Sequence, residues 1–174
     1  MGEVVEISIV AKKLNVYEQI LCFFTSYIGE KYDIKSITAM DNWRYENLIK
    51  LNSVSDANKL VQDKIICIEL KTNNRYLGVG VFVEKKKNLF YIDGWINPKE
   101  DILGQEYDRL LNRFVETFKS NSSVKVSGIG KEIFVDYNSG IPQAIENAHN
   151  IDLWMIFGSE YINYNTKSKI ICIQ

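Results

Sequence analysis

Apolar and polar positions alternate over EISIV, residues 6–10, which predicts a first strand. From Asn15 the period changes. Val16, Tyr17, Ile20, Leu21, Phe23, Phe24, Tyr27 and Ile28 recur at helical spacing, with Asn15 placed as N-cap, Glu18 three residues later and Gly29 at the stop. A helix needs such a stripe in order to dock, so its aromatics read as core rather than as a cofactor box. YDIKSITAM and NLIKL, within residues 33–51, read as a strand pair with a turn near Asp41 and Asn42, and Ser53 with Asp56 reads as a capping box for a short helix. Three consecutive strands follow, IICIEL, YLGVGVFVE and LFYIDGWI, joined through TNNR and KKKN, which predicts an antiparallel meander.

Asn97 and Pro98 then suit the cap and first position of a second long helix, whose face is Leu103, Tyr107, Leu110, Leu111, Phe114, Val115 and Phe118, ending near Lys119. Strands at VKVSG and EIFVDY, a short helix at IPQAIENAH, an apolar LWMIF of undecided type and a last strand at KIICI complete the chain. KIICI also occurs at Lys64–Ile68, 105 positions before its copy at Lys169, with unrelated flanks, so a tandem duplication does not account for it. Ile-Ile-Cys-Ile suits a mid-sheet strand, with the cysteines as buried structural thiols. The expected architecture is a single α+β domain over 1–174: a mainly antiparallel mixed sheet of about six to eight strands, with two main helices, near 15–28 and 98–119, packed on it.

Pairing Glu84 with Leu89 across the KKKN turn puts Leu77, Val79, Val81, Val83, Phe90, Ile92 and Ile96 on a core face. The opposite face then holds Gly78, Gly80 and Phe82 with Tyr91, Asp93 and Trp95. Glycines leave a shallow floor there, walled by rings and holding one carboxylate, a shelf for a ligand or partner. The alternatives are that Trp95 lies over the glycines or that a helix packs on them.

Composition bounds the class. With 174 residues, 46% hydrophobic and 25% charged, the chain is globular, and its apolar runs are too short for a membrane span. MGEVVEISIV lacks the basic region and apolar block of a secretory signal, so a cytoplasmic location is expected. Three cysteines without CxxC spacing and one histidine, His149, argue against a metal site or a His-based catalytic group. No GxxxxGK[ST], GxSxG or HExxH occurs. A pI near 5.9 and an isolated Lys85–Lys87 cluster do not suggest a nucleic-acid partner.

From Tyr76 to Leu111, the run of two strands, an apolar-x-Pro at Ile96, Asn97 and Pro98, and a helix with paired leucines resembles the central part of GNAT-type acetyltransferases. In that family the following loop wraps the coenzyme A pyrophosphate at a helix start. This loop reads KEDILGQEYDRLL, with Gly104 alone among Glu100, Asp101 and Glu106 where the family carries Arg or Gln and a second glycine or alanine. Acids there repel a pyrophosphate. The resemblance implies, as an alternative reading, an acyltransferase or acyl-CoA or small-molecule binder with a degenerate site, having Asp93 or Glu100 as base and Tyr137 as acid.

The net charge of −1 hides an asymmetry: residues 132–166 hold no Lys or Arg, yet carry Glu132, Asp136, Glu146, Asp152 and Glu160, with Trp154, Tyr161 and Tyr164 among them. Rings supply rigid contact area, and an acidic field speeds encounter with a basic partner. Small size, the absence of a catalytic constellation and this segment resemble, in general character, the immunity proteins with which bacteria neutralise toxins. The expected function is therefore non-enzymatic masking of a cationic toxin, without cofactor. Asp136, Glu146, Asp152 and Glu160 would pair with cationic residues, while Trp154, Tyr161 and Tyr164 would bury contact area.

Overall fold

The computed structural model describes residues 2–158 and 164–173. In chain order the elements are β1 (Val5–Ala11), α1 (Val16–Ile28), β2 (Ile34–Met40), β3 (Ile49–Leu51), α2 (Val54–Leu60), β4 (Ile65–Leu70), β5 (Tyr76–Lys86), β6 (Leu89–Pro98), α3 (Gly104–Phe118), β7 (Val124–Phe134), α4 (Ile141–Asn147), β8 (His149–Phe157) and β9 (Lys169–Ile173). All nine strands join one sheet, ordered β3-β2-β4-β5-β6-β1-β7-β8-β9. Every neighbouring pair is antiparallel except β8 with β9. This is the expected α+β mixed sheet, with nine strands in place of about six to eight; LWMIF is a strand, and NLIKL pairs with β2 as expected. VKVSG and EIF merge into the single long β7.

Helices α1, α2 and α3 cover one face. Ile20, Leu21, Phe24, Leu110 and Phe114 meet Ile7, Ile9, Val81, Ile92 and Ile96 in the main core. The long helix begins at Gly104 rather than at Pro98. Pro98 is still strand, opposite Tyr76, and Lys99 N–H donates to Arg75 O, so the ladder outlasts the Asn-Pro signal. The Ser53 cap is as expected, its hydroxyl accepting from Asp56 N–H at 3.1 Å. Asn15, by contrast, makes no side-chain cap hydrogen bond.

The β5–β6 turn is only Lys87–Asn88, because Lys86 pairs with Leu89. The true register is therefore two residues from the expected one: Gly80 faces Trp95 and Phe82 faces Asp93. A shift of two preserves parity, so the division into faces survives. Leu77 is an exception, since an irregularity between Tyr76 and Gly78 leaves it 49% exposed and buries Tyr76 in its place. The two KIICI copies also differ. β4 lies mid-sheet, whereas β9 is an edge, and the expectation of buried thiols fails: Cys67 is half-buried and Cys22 and Cys172 are exposed.

The second face is covered over half its width. The end of β7, the chain after it and helix α4 lay Ile133, Val135, Tyr137, Ile141 and Ile145 over Val10, Val126, Ile151 and Trp154, making a second, smaller core on β1, β7 and β8. One lateral row on this face runs Thr38, Cys67, Phe82, Asp93, Ser8, Gly128, Trp154, Ile170. It passes from open sheet to covered sheet between Asp93 and Ser8. The step at the margin of that cover is where the molecule has a cleft.

Candidate functional site

Two adjoining hollows of about 250 and 310 Å3 share Glu6, Phe82 and Asp93. Their floor is the second face of β5, β6 and β1. One wall is Ile133, Phe134 and Val135, where the cover begins, and the other is Trp43, carried over the sheet by the loop between β2 and β3. Trp43 Nε1 donates to Glu84 at 3.2 Å, and its ring meets Phe82 edge-on with centroids 5.2 Å apart. Phe82 in turn stacks on Trp95 at 4.8 Å. Phe134 is 61% exposed on the far rim and Trp43 is 44% exposed.

The glycines shape this floor by the route the sequence left open as an alternative. A Cβ on Gly80 would stand 2.6 Å from the Trp95 ring and 2.4 Å from Ile68 O, so Trp95 lies flat over Gly80. The shelf residues Gly78, Gly80, Phe82, Tyr91, Asp93 and Trp95 do share one face. What that face offers is a ring surface, not bare backbone. Tyr91 stands toward the covered side, its ring 5.3 Å from that of Tyr137.

Asp93 sits at the bottom of the cleft. Ser8, itself 2% exposed, donates its hydroxyl to Asp93 Oδ1 at 2.8 Å, and the Tyr137 hydroxyl lies 3.2 Å from the same Ser8 oxygen. Because Ser8 has one proton and spends it on Asp93, Tyr137 is the donor in the second contact. Burial pushes the Asp93 carboxyl up to about 6 against the lowering pull of Ser8, with Glu84 raising it further and Lys86 lowering it. Glu6 accepts from Ile133 N–H at 2.8 Å. Its carboxyl is also raised to about 6, first by burial and then, against that hydrogen bond, by the Glu132 and Asp93 charges. Tyr137 is likewise shifted upward by burial and stays a neutral donor.

Among the described residues no Lys or Arg lies within ion-pair distance of Glu6 or Asp93, whereas Glu84 is paired with Lys86 at 3.0 Å and Glu69 with Lys35 at 3.3 Å. Two carboxylates held among aromatic rings without a countercharge favour a cationic guest. Asn97 lines the same cleft, and its buried Oδ1 has no donor among the described residues.

The C-terminal group expected to grip a partner is dispersed. Trp154 is 0% exposed, flat against Gly128, where a Cβ would stand 2.6 Å from its ring, so it cannot supply contact area. Asp152 falls at the irregularity between the Gly130–Ile151 and Ile129–Leu153 pairs and accepts from the Tyr107 hydroxyl of α3, on the helical side. Asp136 and Glu146 are exposed on the cover, where Asp136 accepts from Asn138 N–H at 2.9 Å, and Tyr164 is half-buried against the second core. Glu160 and Tyr161 lie outside the described residues.

The acid–base pair of the alternative reading, Asp93 and Tyr137, is brought together through Ser8, while Glu100 stands in the loop before α3. At that helix start Asp101 accepts from Glu3 N–H at 2.6 Å, and Glu106 accepts from Tyr27 at 3.1 Å and pairs with Arg75 at 3.4 Å. Sequence reasoning missed Glu6, Ser8, Trp43 and Phe134. The polar alternation of Glu6 and Ser8 on a strand central in the sheet was the one signal pointing to a partly open second face.

A larger hollow of about 680 Å3 is lined by Lys12, Lys125, Ile156 and Tyr164 among others. Comparison with protein-family models, with curated proteins and with solved structures finds no match to this chain.

Proposed function

We propose that this protein is a non-enzymatic binding module of the immunity type, which masks a basic toxin or effector protein in the bacterial cytoplasm. The grip lies in the aromatic cleft on the open half of the second sheet face, not in the C-terminal third. One observation carries the reading: among the described residues Glu6 and Asp93 have no ion-paired Lys or Arg, and they stand among Trp43, Phe82, Trp95 and Phe134. Partly exposed rings supply contact area around the acids, and a cationic partner relieves the cost of holding two carboxylates close together. The three free thiols agree with a reducing compartment.

The test is co-expression with a basic protein encoded beside this chain. A stable complex that abolishes the neighbour's toxicity, and that Asp93→Arg breaks while leaving this chain folded, supports masking. Tight binding of acetyl-coenzyme A in calorimetry, with no such complex, would replace it by the acyltransferase reading.

A further inference from the structure

The cleft has a more specific chemistry than a general preference for positive charge. Asp93 uses Oδ1 for Ser8, and Glu6 uses Oε2 for Ile133 N–H. Asp93 Oδ2 and Glu6 Oε1 therefore remain without a donor among the described residues. The two carboxylates come from adjacent strands: Glu6 pairs with Trp95 and Ser8 with Asp93 in the β1–β6 ladder, so Glu6 and Asp93 are diagonal neighbours. Phe82 and Trp95, their rings stacked at 28° to one another, stand in the same lining as both acids. Flat rings beside two free oxygens match a planar donor group that stacks and forks at once.

Resting on the function proposed above, we infer that the cleft seats one arginine side chain of the basic partner, its guanidinium bridging Glu6 and Asp93 and lying against Phe82 and Trp95. A lysine ammonium suits this place less well. It is a compact, strongly hydrated charge that cannot stack and would surrender its water to a largely apolar wall.

Protons compete with the guest. The groups facing Glu6 and Asp93 are Glu84 and Lys86 from β5, Glu132 at the end of β7, Ser8 from β1 and Tyr137 from the cover. With both carboxyls raised to about 6, each is largely protonated at pH 5 and largely ionised above pH 7. Affinity for the cation therefore rises with pH across that interval.

The experiment titrates N-acetyl-arginine methylamide and its lysine counterpart into the full chain at about pH 7.5, following the three indole N–H signals by NMR. The arginine amide should shift Trp43 and Trp95 saturably and leave Trp154 still. It should bind roughly tenfold more tightly than the lysine amide, and roughly tenfold more weakly to Asp93→Asn or Glu6→Gln. An unmoved Trp154 signal in each variant reports an intact fold. Weaker binding at about pH 5 than at about pH 7.5 supports the same assignment.

Lysine bound as well as arginine, shifts that persist undiminished in both variants, or no saturable shift up to about 20 mM each overturn it. If either amide result fails while the neighbouring basic protein is still bound and released by Asp93→Arg, the arginine inference falls and the masking function stands. If the amide binds as expected but no basic protein is masked, the function falls and the guanidinium site remains.

Discussion

At the residue scale, two tryptophans solve one packing problem twice. Trp95 lies over Gly80 and Trp154 over Gly128, each directly opposite its glycine across a strand pair. One pair faces the cleft and the other is sealed in the second core. Gly128→Ala should therefore cost about 1–3 kcal/mol in denaturant unfolding, because the enclosed Trp154 ring has nowhere to go. The sequence reading recognised that Gly80 and Trp95 share a face but could not show that they are direct partners. Parity follows from alternation alone, whereas register depends on which residues make the turn.

Asp93 gives a second prediction at this scale. Its carboxyl titrates near 3.8 when unperturbed and at about 6 in the fold, so the folded state holds the proton more tightly. The resulting stabilisation is fully present below about pH 4 and lost as pH rises through about 6. In thermal melts, Asp93→Asn should gain on the native chain between about pH 4 and pH 6, then hold a constant advantage above that. A difference that shrinks with rising pH would contradict the buried, uncompensated carboxyl. The Ser8 hydroxyl can still donate to an asparagine oxygen at this position, and Tyr137 keeps its contact with Ser8, so both are retained in this comparison.

At the element scale, turns and ends decided what could be read. The helical stripe of α1 and the capping box of α2 were legible because period and cap chemistry are local. LWMIF was not: sandwiched between the main and second cores, β8 has no polar face, and a continuous apolar run has the same appearance in a buried helix. Asn97-Pro98 misled because Pro is as welcome at the end of a strand as at the start of a helix.

The β5–β6 hairpin carries the matching prediction. Lys87 holds φ at 56°, a region where a side chain is strained. Lys87→Gly should raise stability by about 1 kcal/mol and leave the Lys86–Leu89 pairing intact, measured by equilibrium unfolding and backbone NMR shifts.

At the scale of the whole molecule, the site arises from incomplete cover. Helices pack on one face, while on the other residues 133–148 cover β7, β8 and β1 and reach Tyr91 of β6, leaving Phe82 and Trp95 outside the second core. The cleft is the margin of that reach, so no local motif announces it. Trp43 and Phe134 come from segments about 90 positions apart and meet only across the finished sheet. Charge counting along residues 132–166 found acids but not their directions, which the β8 irregularity and the burial of Trp154 set. Replacing Phe134 by Ser should leave unfolding within about 0.5 kcal/mol of the native chain, since the ring is mostly exposed, while weakening any complex formed at the cleft.

Strand β1 is first in chain order among the described elements, yet stands sixth in the row of nine, between strands drawn from residues 89–98 and 124–134. Both of its ladders, to β6 and to β7, are long-range in sequence, and it can bridge the two sides only once β7 has been made. It is the zip between two half-sheets. A chain lacking it should separate into two poorly joined lobes, and a synthetic Val5–Ala11 peptide supplied in trans should fasten them again.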